Sequence, residues 1–190
     1  MARAFTHTPP FWALVWMAVS LPLVAWDTLY VLGRPHTMPG GCCHWPWSPY
    51  KLYGEIDHVY GWKAFRDRSG FTGAQALLNL VETAMYLAYL RLWRSRRQPA
   101  GAVAGRVGAL ALLLGFSAAV MTLSKTVLYW AHEYFSGFAN IGHNAVADLV
   151  LLWIVPKFVS GAWLVGPSYM IYALGSEILD NLEGVHVKKD

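Results

Sequence analysis

Three ionisable side chains, Asp27, Glu82 and Lys125, lie inside long apolar stretches of this 190-residue chain. A charged group in the hydrocarbon of a membrane costs several kcal/mol, so it normally faces the interior of a helix bundle and has a function there. Burial favours the neutral form of a carboxyl group, and a neutral carboxylic acid can donate a proton. We therefore interpret Glu82 and Asp27 as a candidate acid/base pair.

Lys125 has two interpretations. It could pair with Asp27 or Glu82 as a buried ion pair, which would keep one carboxylate ionised while the other becomes neutral. Alternatively, its long side chain could extend toward the lumenal interface of the membrane. Both readings place the lysine near the predicted site.

Polar side chains recur at intervals of three and four residues around Glu82 and Lys125, which places them on one face of each helix. The first face carries Gln75, Asn79, Glu82, Tyr86 and Tyr89, and the second carries Thr122, Lys125, Thr126 and Tyr129. A polar face of a membrane helix contacts protein or a cavity. For the threonines and the asparagine, hydrogen bonds between helices are the simpler interpretation.

Four apolar runs are long enough to cross about 30 Å of hydrocarbon, which takes about 20 residues. They cover residues 11–32, 71–93, 107–134 and 145–174. The composition agrees, since 14% of the residues are charged, whereas a soluble domain has about 25%. We predict an all-α, polytopic four-helix membrane bundle that forms a single domain over residues 1–190.

The charge distribution predicts the orientation of this bundle. Arginine is concentrated in residues 91–106, and short loops rich in Lys and Arg stay in the cytosol. Both termini then face the cytosol, and residues 35–70 form a lumenal lid with Glu55, Asp57 and His58 on its solvated surface. The first apolar run lacks a small-residue cleavage site, so we expect it to remain as a membrane helix.

Several functional classes are disfavoured. The clustered arginines are better explained as a topogenic loop than as a nucleic-acid surface. The adjacent Cys42 and Cys43 rarely satisfy disulfide geometry with each other, so we predict no disulfide framework. The sequence has no nucleophile elbow, phosphate loop, dinucleotide fingerprint, haem-attachment motif or zinc-spaced cysteine set. We therefore expect no metal and no other cofactor.

Four segments carry a resemblance to a known family. LNLVETAMYLAYLRLW, with Glu82 and Thr83, is similar to the Met-Glu-Thr helix of sterol isomerases, and AWDTLYVL places Asp27 on the acid of their first helix. VLYWAHEYFSGFANIGH and GAWLVGPSYMI, which includes Trp163, are similar to segments of the last two helices. The chain thus resembles the emopamil-binding protein superfamily, also called the EXPERA domain, to which sterol delta-eight to delta-seven isomerases and the sigma-two receptor belong.

The resemblance implies functional roles for Glu82 and Trp163, but the chain departs from the isomerase pattern at three positions. It implies that Glu82 handles the proton and that Trp163 steadies a substrate cation. Leu23 stands where the isomerases have a histidine, Ser160 where they have an asparagine, and Thr126 where they have an acidic residue. The segments SKTVLYW and RPHTMPGG are more similar to a fungal branch that cyclises terpenoid and meroterpenoid chains.

These observations predict a multi-pass isomerase or cyclase of the endoplasmic reticulum membrane that protonates an alkene or epoxide of an isoprenoid or sterol. The catalytic candidates are Glu82 and Asp27. The candidate substrate-binding residues are Trp163, Tyr129, Trp130, Tyr86, Asn79, Thr83, Lys125 and Thr126. A non-catalytic sterol- or lipid-binding protein of the sigma-two type is the alternative, and a membrane scaffold without a ligand is a third. Expected partners are the hydrophobic substrate and membrane lipid, with a second copy of the chain as a further candidate and no nucleic acid.

Overall fold

The computed structural model describes residues 5–99, 101–141 and 161–186, and these are mostly helical. The α-helices are α1 (Phe11–Leu32), α2 (Tyr50–Ile56), α3 (Trp62–Arg66), α4 (Phe71–Arg96), α5 (Gly105–Phe135) and α6 (Ala162–His186), with a 3-10 helix at Trp45–Trp47. Two short strands, β1 (Thr6–His7) and β2 (Val103–Ala104), pair antiparallel. The predicted helical class is confirmed.

The long helices follow the apolar runs of the sequence. α1 has the predicted bounds, although it contains Pro22, and α4 and α5 extend past their runs by a few residues. α6 continues to His186, beyond the predicted end at residue 174. Hydropathy marks only the apolar part of a helix. Because backbone hydrogen bonding continues into polar residues, the helix is longer than the apolar run. The earlier part of the predicted fourth helix, residues 145–160, lies outside the described residues.

Within the described ranges, α1 and α5 are the helices that are both long and apolar enough to cross a membrane. α1 has 22 residues and α5 has 31. At about 1.5 Å per residue, each is longer than the hydrocarbon core of a bilayer.

The chain divides into two compact units. The first unit comprises Met1–Leu21, Val81–Ser124 and Leu164–Asp190. Its helices approach closely at small residues: a Cβ added at Gly166 would lie 2.4 Å from the Trp16 ring. The fully buried His7 joins this unit by hydrogen bonds to both Glu177 carboxylate oxygens, at 2.9 and 3.0 Å, and to the Tyr89 hydroxyl, at 2.9 Å.

The second unit comprises Pro22–Leu80 and Lys125–Trp163. Its core is aromatic: Tyr30, Val31, Met38, Tyr50 and Ala76 are buried, and Trp26, Trp47, Tyr53, Tyr60, Trp62 and Phe65 pack against them. Arg34 supports this core by donating to the carbonyl groups of Val31 and Val59 and to the Thr72 hydroxyl. The residues between α1 and α4 are therefore folded as part of this unit.

Candidate functional site

A cavity of about 630 Å³ lies within the second unit. Ligand-binding pockets in proteins commonly have about 300–1,000 Å³, are mostly apolar and contain a few polar groups. The lining residues are Leu23, Val24, Trp26, Asp27, Pro49, Tyr50, Leu52, Tyr53, Tyr60, Thr72, Gln75, Asn79, Lys125, Thr126, Tyr129, Trp130 and Trp163. Aromatic and aliphatic side chains thus surround a small polar set.

The carboxylate of Asp27 projects into this cavity from α1 and accepts a hydrogen bond from Tyr50 of α2. The distance from the Tyr50 hydroxyl to Oδ1 is 2.5 Å. The Tyr50 ring is held by stacking on Tyr30, with centroids 4.0 Å apart, and by an edge contact with Trp26. Burial and the neighbouring Asp27 raise the pKa of Tyr50. Its hydroxyl therefore keeps its proton at physiological pH and remains a donor to the carboxylate.

Lys125 of α5 contributes a cation to the cavity. Its ammonium group donates a hydrogen bond to the Asn79 side-chain oxygen, and the Gln75 side chain donates to the Lys125 backbone carbonyl at 3.3 Å. The polar helix face predicted from Gln75 to Tyr89 thus supplies two of the lysine's contacts. The pairings with Asp27 or Glu82 that were considered from the sequence stay predictions.

Asp57 is a buried carboxylate that sequence reasoning placed on a solvated surface, and this interpretation is wrong. The residue is 1% exposed. Its Oδ2 accepts hydrogen bonds from the hydroxyl groups of Tyr53, at 3.2 Å, and Tyr129. Burial first, and then the charge of Asp57, raise the pKa of Tyr53. Asp57 therefore positions two tyrosines that line the cavity. In the sequence, the spacing of four residues between Tyr53 and Asp57 was the signal that could have indicated one of these contacts.

Tyr60 connects the aromatic walls of the cavity. Its ring centroid lies 5.2 Å from that of Tyr53, 5.8 Å from that of Tyr50 and 6.5 Å from that of Tyr129. Burial is the main reason that the pKa of Tyr60 is raised well above its usual value. Neutral aromatic rings of this kind present negative faces that attract cations. The cavity can therefore stabilise positive charge on an apolar ligand.

Seven of the ten residues predicted from the sequence line this cavity: Asp27, Asn79, Lys125, Thr126, Tyr129, Trp130 and Trp163. Glu82, Thr83 and Tyr86 belong to the first unit. Glu82 is buried there, and the Tyr86 hydroxyl is 3.2 Å from the Thr122 hydroxyl. Sequence reasoning missed the lining residues from the segment between α1 and α4, above all Tyr50, Tyr53 and Tyr60.

Comparisons with known proteins give no match, whether to a protein-family model, a curated protein or a solved structure. Among the described residues, no group of three His, Cys, Asp or Glu side chains could hold a metal ion.

Proposed function

We propose that this protein is a membrane-embedded isomerase or cyclase whose cavity binds an isoprenoid, either a sterol or a terpenoid. The observation that carries the proposal is a carboxylate, Asp27, held by Tyr50 in a mostly apolar cavity of about 630 Å³ that is rich in aromatic side chains. A cavity of this size and lining suits a largely apolar ligand.

The proposal includes the membrane arrangement. α1 and α5 have the required length and apolar character, and we propose that α4 and α6 also cross, giving four spans in the endoplasmic reticulum. Residues 35–70 would face the lumen and residues 91–106 the cytosol. The cysteines at 42 and 43 are exposed, so a membrane-impermeant thiol reagent should label them only after sealed microsomes are permeabilised. Labelling in intact vesicles would reverse the orientation.

The proposed reaction begins with the neutral form of Asp27, which gives its proton to an alkene or epoxide of the substrate. The aromatic faces of Tyr60, Tyr129 and Trp163 stabilise the carbocation. Tyr50 holds the carboxylate in place once its proton has left, and a carboxylate then removes a proton from another carbon, so no net proton is consumed. Glu82 does not line the cavity, and we keep it as a separate acid/base candidate because its helix resembles that of sterol isomerases.

Product analysis tests the activity directly. The full chain, expressed in yeast microsomes, is supplied with candidate sterols and epoxidised prenyl substrates, and products are identified by mass spectrometry. Asp27→Asn should reduce turnover by about 10²–10⁴, the usual contribution of a positioned acid. Asp67→Asn is the matched control, because Asp67 is an exposed residue of the same unit. Full activity of folded Asp27→Asn protein would refute the assignment.

Glu82→Gln tests whether a second carboxyl group takes part in the reaction besides Asp27. A loss of similar size would support a second acid/base role, because glutamine keeps the shape of the side chain but cannot give up a proton. Unchanged turnover would remove Glu82 from the mechanism and leave Asp27 with both proton transfers.

A non-catalytic sterol- or lipid-binding protein is the second candidate. It is favoured by the way protein groups already engage the polar side chains of the cavity: Tyr50 binds Asp27, and Lys125 binds Asn79. Such fixed groups suit hydrogen bonding to a ligand hydroxyl. Saturable binding of a sterol that is recovered unchanged, with no product from any substrate tested, would favour this function over catalysis.

A further inference from the structure

The turn that follows α1 brings one histidine beside two adjacent cysteines. Gly40 has a positive φ of 88°, a conformation that favours glycine. A Cβ at Gly41 would lie 2.2 Å from the His36 carbonyl oxygen, so a side chain cannot be accommodated there. The Cys43 N–H donates to this same carbonyl at 3.0 Å. The two glycines therefore permit the close return of the backbone that sets His36 next to the cysteines.

The turn is anchored at its base. The Thr37 hydroxyl donates to the Tyr30 carbonyl at 2.7 Å, and His44 Nδ1 lies 2.8 Å from the Thr37 carbonyl oxygen. Met38 is fully buried in the core of the second unit. Because these contacts fix the backbone on both sides of residues 40–43, the thiols are presented on an ordered surface.

The two thiols face each other and the solvent. Cys42 Sγ and Cys43 Sγ are 3.2 Å apart, and His36 Nδ1 lies 3.9 Å from Cys42 Sγ. Both cysteines are exposed. A hydrogen bond with Cys42 raises the pKa of the Cys43 thiol, and Cys42 is the sulfur that the imidazole contacts. A solvent-accessible thiol that lies next to a second thiol and contacts an imidazole is the arrangement of a redox-responsive cysteine.

We propose that Cys42 and Cys43 form a redox site that is reversibly oxidised by low-molecular-weight disulfides such as glutathione disulfide, with His36 accepting the proton of Cys42. The Cys42 thiolate attacks one sulfur of glutathione disulfide, forms a mixed disulfide and releases one glutathione thiolate. Cys43 then attacks Cys42 Sγ, closes the Cys42–Cys43 bond and releases the second glutathione thiolate. The protein loses two electrons and two protons, and glutathione disulfide becomes two glutathione molecules.

This disulfide is a reversible modification and not a structural crosslink. Neighbouring Cα atoms are about 3.8 Å apart, whereas the Cα atoms of a typical disulfide are about 4.4–6.8 Å apart. The closed ring is therefore strained, and strained, exposed disulfides are readily reduced. A site of this kind responds to the redox state of its surroundings whether or not the cavity is catalytic.

Intact-mass spectrometry of the purified full chain in glutathione redox buffers tests the proposal. Wild-type protein should lose two hydrogen atoms without retaining glutathione, and a thiol reductant should restore them. Cys43→Ser should stop at a stable glutathione adduct on Cys42, because no second thiol can displace it. Wild-type protein that accumulates glutathione adducts, or forms dimers on a non-reducing gel, without the intramolecular bond would overturn the proposal.

His36 has its own test. His36→Asn should slow oxidation of the wild-type cysteine pair several-fold near neutral pH, and the difference should shrink at alkaline pH, where the thiol loses its proton without help. His58→Asn is the matched control, because His58 lies in the same unit and contacts the Glu55 carbonyl. Equal oxidation rates for the two variants at all pH values would remove His36 from the site.

Discussion

Replacing Asp57 by asparagine tests the buried carboxylate that holds two tyrosines of the cavity. Asparagine has nearly the same shape but no charge, so the substitution changes the strength of the hydrogen bonds and not the packing. Asp67→Asn makes the same chemical change in the same unit. The Asp67 side chain is 60% exposed and lies 3.2 Å from Lys63, one helical turn away.

The magnitude follows from the contacts. Two tyrosine hydroxyls donate to one Asp57 oxygen. A hydrogen bond to a charged group contributes about 1.5–3 kcal/mol, and one between neutral groups about 0.5–1.5 kcal/mol, so Asp57→Asn should lower the free energy of unfolding by about 2–3 kcal/mol. For a chain of this size that corresponds to roughly 4–12 °C in Tm. An exposed pair one turn apart contributes about 0.3–0.5 kcal/mol, so Asp67→Asn should change Tm by no more than a degree or two.

Thermal unfolding in detergent provides the assay, with intrinsic tryptophan fluorescence as the signal. If Asp57 lay on a solvated surface, as inferred from the sequence, the two variants should have similar Tm values. Because Asp57 is buried, we expect their Tm values to differ. Equal Tm values for Asp57→Asn and Asp67→Asn, in proteins with wild-type helical content, would refute the reasoning about Asp57.

Two further predictions concern packing: the first compares a glycine of the first unit with a glycine of the second unit, and the other removes the buried His7 of the first unit. Gly166→Ala should destabilise the protein by about 1–3 kcal/mol, because the added methyl group meets the Trp16 ring. Gly73→Ala in α4 should stabilise it by up to about 1 kcal/mol, because a methyl group there meets nothing within 4 Å. The two variants should therefore shift Tm in opposite directions, and shifts in the same direction would contradict this reasoning. His7→Leu should lower the free energy of unfolding by about 1–3 kcal/mol for each buried polar group that is left without its partner. A Tm equal to that of the wild type would show that the contacts with Glu177 do not stabilise the fold.

The helices could be predicted because their signals are local. The apolar run 11–32 is bounded by Pro10 and Gly33, and α1 occupies that run. Helical periodicity also placed Asn79 and Lys125 on the polar faces of their helices, and both residues line the cavity, where the lysine donates to the asparagine. The end of α6 was missed because its last turns are polar, and polarity says little about whether backbone hydrogen bonding stops.

The contacts of the carboxylates could not be predicted in the same way. Tyr50 lies 23 residues after Asp27, and Tyr129 lies 72 residues after Asp57. No periodicity relates such pairs, because a tertiary hydrogen bond depends on how the segment between α1 and α4 folds. Asp57 follows Tyr53 at a helical interval, but without that fold it looks like any acidic residue of a polar loop.

The position of the Tyr50 hydroxyl is set by α1 itself. The Trp26 indole donates to the Pro46 carbonyl at 3.2 Å, and the Trp47 indole donates back to the Trp26 carbonyl at 2.8 Å. These two bonds attach the 3-10 helix to α1 at the residue before Asp27. The stack on Tyr30, one turn further along α1, then fixes the ring plane of Tyr50. Residues 26, 27 and 30 of one helix contact the segment that carries Tyr50, the donor to the carboxylate. The segment after α1 therefore forms part of the cavity wall, and its attachment to α1 through Trp47 places that donor beside Asp27.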